Sequence, residues 1–268
     1  MKKRRVFSLM AGMVATFLIV VGCSQMTPPN PSATSPESVE LTVSAAASLQ
    51  DAMKAIAPLY TQEQANVTIT YNFGSSGSLQ QQIEQGAPVD VFLSAAPKQM
   101  NALQEKDLLL TDTRKDLLKN SIVLVTPKDK TDISDFKELS TDKVNKVAIG
   151  DPETVPGGQY GKQVLTSLNL YAPLQTKLVF AKDVRQVLSY VETGNVEAGL
   201  VYATDAKVSD NVKVIATAPD VSHAPIIYPV AVLKESKNPD SAKAFVQFLS
   251  TEPAKTVFKD YGFSLADN

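Results

Sequence analysis

Two short segments carry the residues best suited to chemistry: Ala45-Ala46-Ala47-Ser48-Leu49 and Phe73-Gly74-Ser75-Ser76-Gly77-Ser78-Leu79. Each follows an apolar, strand-like run and opens a helix-like run with a small hydroxyl residue. Such a junction can hold an anion without a charged side chain. Unpaired backbone N–H groups and the positive end of a helix dipole point at one spot. Plain N-capping, a common role of serine, is the alternative for Ser48 and Ser76. The surroundings favour a ligand, because Ala45 to Ala47 and Gly74 put no bulky side chain in the way of an approaching molecule. Two later junctions have the same chemistry. Gly150-Asp151-Pro152-Glu153-Thr154-Val155-Pro156-Gly157-Gly158 runs from a strand into a helix, and its glycine pair would allow a strained turn with exposed N–H groups. In Ala181-Lys182-Asp183-Val184-Arg185, Asp183 reads as an N-cap and Val184 as the first helical residue. Tyr202 ends an apolar strand, where it would offer a hydroxyl donor or sit at the core rim. Four such helix ends around one cavity would bind a small oxyanion.

The elements that must position these residues alternate. Leu41 to Ser44 is strand-like, and Leu49, Met53, Ile56 and Tyr60 then recur at helical spacing. Val67, Ile69 and Tyr71 alternate as a half-buried strand, and Leu79 to Gln85 reads as a helix that stops at Gly86-Ala87-Pro88. Val89 to Leu93, Ser121 to Thr126, Val147 to Ile149, Leu178 to Phe180, Ala198 to Tyr202 and Val212 to Ile215 read as strands. Pro97 opens a helix; Gln159 to Leu168 and Val184 to Val191 are two more, and Glu235 to Ser250 and Ala254 to Tyr261 close the chain. Strands alternating with helices predict a mostly parallel sheet with helices on both faces. Ligands of such sheets sit at the carboxyl ends of the strands.

The first 22 residues read as an export signal. Lys2-Lys3-Arg4-Arg5 is a basic start, and Val6 to Val21 is an interrupted apolar run, short for a membrane span, with an uncleaved anchor as the alternative. Val20-Val21-Gly22-Cys23 resembles the lipobox of bacterial lipoproteins, with cleavage before Cys23 and lipidation of its thiol. Residues 23–38, rich in proline, serine and threonine, read as a flexible tether. Cys23 is the only cysteine in the chain, so no disulfide is expected. Removing the signal's four basic residues leaves 22 basic against 28 acidic ones, a formal net charge of −6. Such a surface does not draw nucleic acid or an anion from a distance, so an anion site must work by local dipoles.

The run from Leu41 to Phe263 resembles the periplasmic molybdate-binding proteins of ABC importers. The resemblance rests on AAASL at 45–49, FGSSGSL at 73–79, QIEQGAPVDVFLSA at 82–95, NSIVLVTPK at 120–128, VAIGDPETVPGGQYGK at 147–162, DVRQVL at 183–188, GLVYATDA at 199–206, YPVAV at 228–232 and FKDYGF at 258–263. It implies an α/β, two-lobed type II periplasmic-binding-protein fold, each lobe a mostly parallel sheet flanked by helices, with two hinge crossings. Lobe one would be residues 39–121 with 230–268, and lobe two residues 122–229. The crossings are expected near Ser121 to Lys128 and Ala224 to Val230. The family's oxyanion contacts fall on the hydroxyls and amides of Ser48 and Ser76, the amides of Gly157 and Val184, and the hydroxyl of Tyr202. The chain departs from the family pattern at Gly157, where alanine is common, and at Gly77, where serine is common. Both changes keep the backbone donors.

The resemblance further implies a solute-binding component that captures molybdate or tungstate and needs no cofactor and no resident metal. Its partners would be the permease subunits of a transporter. The protein would be an exported monomer, lipid-anchored at Cys23 on the outside of the cell membrane or in the periplasm. A fully deprotonated dianion offers only acceptors, and the five contact residues supply only donors. A ligand that keeps a proton would want a carboxylate, and Asp51 and Asp151 lie near the motifs. Sulfate, which suits the same donors, is the alternative ligand. Catalysis is not expected: Gly74-Ser75-Ser76-Gly77 is not a G-x-S-x-G elbow, and His223, in a loop-like stretch, is the only histidine.

Overall fold

In a computed structural model of the protein, residues 38–129 and 132–266 are described. The signal segment, Cys23 and nearly all of the tether lie outside them.

The first sheet collects β1 (Val39–Ala46), β2 (Val67–Gly74), β3 (Val91–Leu93), β4 (Leu109–Lys119), β10 (Ile227–Leu233) and β11 (Ser264–Leu265), in the order β11-β4-β10-β3-β1-β2. The second collects β5 (Ile122–Pro127), β6 (Val147–Gly150), β7 (Leu178–Ala181), β8 (Ala198–Tyr202) and β9 (Val212–Thr217), in the order β7-β6-β8-β5-β9. Helices α1 (Gln50–Glu63), α2 (Ser76–Glu84), α3 (Pro97–Glu105), α8 (Pro239–Phe248) and α9 (Glu252–Asp260) accompany the first sheet. The second carries α4 (Pro156–Ser167), α5 (Tyr171–Leu174), α6 (Val184–Glu192) and α7 (Ala203–Lys207). The central strands are apolar because both of their faces are covered. Leu41, Val43 and Ala45 of β1, and Leu200 and Val201 of β8, have no exposed surface. Each such leucine or valine side chain contributes roughly 1.5–3 kcal/mol by burial. α6 shows the matching helical pattern: Val184, Val187, Leu188 and Val191 form its buried stripe.

In each sheet the strands are mostly parallel in direction but mixed in pairing. β1 pairs in parallel with β2 and β3, and β6 with β7 and β8. β10 pairs antiparallel with β3 and β4, and β5 with β8 and β9. The exceptions have a topological cause. The chain passes between the sheets at Asn120–Ser121 and again over residues 218–226. Both passages lie at the carboxyl ends of the parallel strands, as the pairing of Ile122 with Tyr202 and the bond from Ser94 N–H to Pro229 O show. A strand that enters a sheet from that end must run against its neighbours. β10 already belongs to the first sheet from Ile227.

Other boundaries differ from the sequence reading. β4, which the sequence reading leaves unassigned, and β10, whose first residues it places in a crossing, are strands. The penultimate helix begins at Pro239 instead of Glu235, because a proline seats well in the first turn and not in the interior. α4 begins at Pro156, three residues before the expected Gln159, for the same reason.

Candidate functional site

The six strands paired in parallel deliver their carboxyl ends to one place. After β1 come Ala47 and Ser48, after β2 Ser75 and Ser76, and after β3 Ala95. After β6 come Pro156 and Gly157, after β7 Asp183 and Val184, and Tyr202 ends β8. All of these residues line a single cavity between elements of the two sheets. It is small and closely walled: its free space of about 10 Å³ is on the scale of one water molecule, far too little for a sugar or peptide. No lysine or arginine lines it. Asp183 is the one carboxylate on its wall, and Asp183 Oδ1 accepts from Gln186 N–H at 2.9 Å.

The capping alternative for the two serines does not hold. The N-cap of α2 is Ser75, whose hydroxyl accepts from Ser78 N–H at 3.2 Å. Ser76 is therefore inside the first turn. It is fully buried, and its Oγ accepts from Ala95 N–H at 2.9 Å. An accepting hydroxyl keeps its own proton to give. Ser48 lies within the 3₁₀ turn Ala47–Leu49 and caps no helix. Its Oγ is 2.9 Å from the Tyr228 hydroxyl, which accepts from Asn120 Nδ2 at 3.2 Å. Either hydroxyl of the Ser48–Tyr228 pair can be the donor; when Tyr228 donates, the Ser48 proton is left for the cavity. The relay Asn120–Tyr228–Ser48 escaped the sequence reading. Its members are 108 and 180 residues apart, and only the antiparallel insertion of β10 brings Tyr228 to Ser48.

Asp183 caps α6 and Val184 is its first residue, as the sequence reading has it. The first-turn amides of Ser76, Gly157 and Val184 therefore face the cavity end of their helices, where an intrahelical acceptor is lacking. The Gly157-Gly158 pair departs from expectation. Neither glycine has a positive φ; both are helical. They are small for close packing, since a Cβ on Gly158 would stand 2.0 Å from Gly150 O, and one on Gly157 2.5 Å from Val184 Cγ1. Gly77 likewise admits no side chain. Its N–H donates to Thr154 O at 3.0 Å, and a Cβ there would stand 2.3 Å from that oxygen.

Tyr202 is 1 % exposed. Its hydroxyl is buried and makes no well-formed hydrogen bond, although the Tyr228 side chain is close enough to interact with it. Desolvation, with the neighbouring Tyr228, Tyr160 and Asp205 adding to it, pushes the phenol well above its ordinary pKa. It stays protonated and can act only as a neutral group. Asp51 and Asp151 do not line the cavity. Asp51 faces Arg185, and Asp151 Oδ1 accepts from Glu153 N–H. His223 lines a separate open groove with Lys98, Gln159 and Lys162. Among the described residues no cluster of histidine, cysteine or carboxylate side chains could hold a metal ion.

Two α/β sheets closing on a cavity lined by neutral donors are the architecture of a solute-binding protein. The chain belongs to the bacterial extracellular solute-binding protein family, whose model matches residues 41–264. It is 44% identical over 260 residues to YvgL of Bacillus subtilis (strain 168), provisionally named an ABC transporter substrate-binding lipoprotein, covering 96% of this chain and 98% of that one. It is 41% identical over 231 residues to the molybdate-binding protein ModA of Haemophilus influenzae, covering 85% and 91%. A solved structure provisionally named the substrate-binding domain of a molybdenum ABC transporter from Clostridium difficile matches with a TM-score of 0.68 and 50% identity, over 86% of this chain and all of the other.

Proposed function

We propose that this protein is the extracytoplasmic binding component of an ABC importer, taking up molybdate, and tungstate with it. The observation that carries the reading is the buried Tyr202 hydroxyl, without a well-formed hydrogen bond, on the wall of a small cavity that no lysine or arginine lines. In this reading the hydroxyls and amides of Ser48 and Ser76, the amides of Gly157 and Val184, and the Tyr202 hydroxyl surround the four oxygens. A tetrahedral dianion supplies acceptors only, and this shell supplies donors. The lobes follow the sheets: residues 39–121 with 230–268, and 122–229 apart from the first residues of β10. The protein binds and releases its ligand without chemistry, works as a monomer and hands the ion to membrane permease subunits. The molybdate-binding relative and the molybdenum-transporter structure support this ligand. Titration calorimetry with molybdate, tungstate, sulfate and phosphate tests it. Molybdate and tungstate should bind tightly and sulfate more weakly, because a smaller ion leaves some donors out of reach. Equal affinity for sulfate and molybdate would overturn the size argument, and tight phosphate binding would reveal an acceptor in the shell.

The same reading places a lipid anchor at Cys23, in keeping with the lipoprotein relative. Cys23→Ser should block lipidation and normal processing and release the protein from membranes. The fold should be unchanged, because the described domain begins beyond the tether. A variant still cut before position 23 and still sedimenting with membranes would refute the anchor.

A further inference from the structure

One charged cluster beside the cavity takes no part in the shell just proposed. Arg185, the second residue of α6, lies next to Val184 but does not line the cavity. Its Nε is 2.8 Å from Asp205 Oδ1, and its Nη2 is 2.6 Å from Asp51 Oδ2. Asp205 sits on α7, beside the second sheet, and its side chain is fully buried. Its Oδ2 accepts from the backbone N–H of Tyr202 at 3.3 Å. Asp51 sits in the first turn of α1, beside the first sheet, three residues after Ser48. A chain of contacts therefore runs from the Tyr202 backbone through Asp205 and Arg185, across the cleft, to the helix that follows Ser48. The Asp51 and Arg185 side chains keep only 33% and 22% of their surface, so water screens this pair less than an exposed one.

We infer that Arg185 is a positioning residue that latches the two lobes shut over the cavity, anchored by Asp205 on its own lobe and gripping Asp51 on the other. The inference rests on the two-lobed binding reading. It also accounts for a cation next to an anion site that is not used as a ligand. Both of its accessible sides are taken by carboxylates, so the ion is held by the neutral shell while the charge is spent on closure. Arginine suits the task because a planar guanidinium can meet two carboxylates at once, which a lysine ammonium does less well.

The molecule carries its own reporter of closure, the bond from Gly77 N–H to Thr154 O between the lobes. Asp51→Asn, made in the whole protein, should speed hydrogen exchange in the peptide containing Gly77 several-fold with no ligand added. It should also weaken molybdate binding about fivefold. Arg185→Lys, which leaves a cation beside buried Asp205, should do the same, and the double variant should be no worse than either single one, because both remove one interaction. Asp112→Asn is the control: it removes a like charge that faces Lys243 on the first lobe's own surface and should leave Gly77 protection unchanged. Wild-type protection of Gly77 in Asp51→Asn, or additive losses in the double variant, would overturn the latch. If the wild-type protein failed to bind molybdate, the ligand reading would fall, and the exchange of Gly77 in the free protein would still decide the latch.

Discussion

Tyr202→Phe should weaken molybdate binding about ten- to a hundredfold while leaving the free protein at least as stable as the parent. The two halves of this expectation come from one atom. In the free protein the Tyr202 hydroxyl is buried without a well-formed hydrogen bond, so removing it breaks little and relieves the desolvation of a polar group. In the proposed complex the same hydroxyl would donate to the dianion. A hydrogen bond to a charged partner is worth roughly 1.5–3 kcal/mol, which is the stated range of affinity. Calorimetric titration and thermal melting of both forms check this. The ring itself must stay, since it packs edge-on against Tyr228 with centroids 5.7 Å apart, and phenylalanine keeps that contact. An unchanged affinity would return Tyr202 to the role of a core tyrosine. A sharp fall in the melting temperature would mean that its hydroxyl has a structural partner in solution.

Val184→Pro and Val184→Ala should separate in a way that only a backbone donor explains. Val184 is the first residue of α6, and Asp183 before it is fully extended, with φ −161° and ψ 172°. Proline fits such a first position: its φ suits the helix, the missing N–H has no intrahelical acceptor, and the extended residue before it is the one proline demands. The proline variant should fold and lose one amide donor to the ion, at a cost of about 1.5–3 kcal/mol in binding. The alanine variant keeps that donor and trims only the side chain that packs beside Gly157, so it should bind nearly as the parent does. Measured on folded protein, weak binding by proline with near-normal binding by alanine supports the assignment. If both variants bind alike, the amide of Val184 is not in the shell.

The candidate site was legible where its chemistry is local. Asp183 as N-cap, Val184 as first helical residue and Tyr202 as the end of a strand follow from capping preference and apolar runs, and the structure has each of them in place. The glycine pair at 157–158 was misread, because a sequence of turn-forming residues does not say whether glycine is needed for its φ or for its size. Here it is size: the atom that excludes a side chain on Gly158 is the carbonyl of Gly150, and on Gly157 the methyl of Val184. The serines could not be assigned from sequence either. Ser75, Ser76 and Ser78 are equivalent as residue types, and only the geometry shows Ser75 capping, Ser76 accepting from Ala95 and its proton left over.

What the sequence by itself determined is the set of strand-to-helix junctions, and with it the neutral donors on which the proposed ligand class rests. Junctions of small residues at helix starts produce neutral donors whatever their arrangement, because the donors belong to the backbone and the first turn. The tertiary structure decided which donors converge and what supports them. Parallel strands bring the junctions of each sheet to one edge, and the two passages between the sheets turn those edges toward a common cavity. The same passages force β5 and β10 to run against their neighbours, and that reversal sets Tyr228 behind Ser48 and Asn120 behind Tyr228. Arg185 has no local signal at all: a cation in the first turn of a helix reads as a solvated charge. Of its partners, Asp205 is set by the packing of its own lobe and Asp51 by the approach of the other lobe, and no spacing along the chain encodes either.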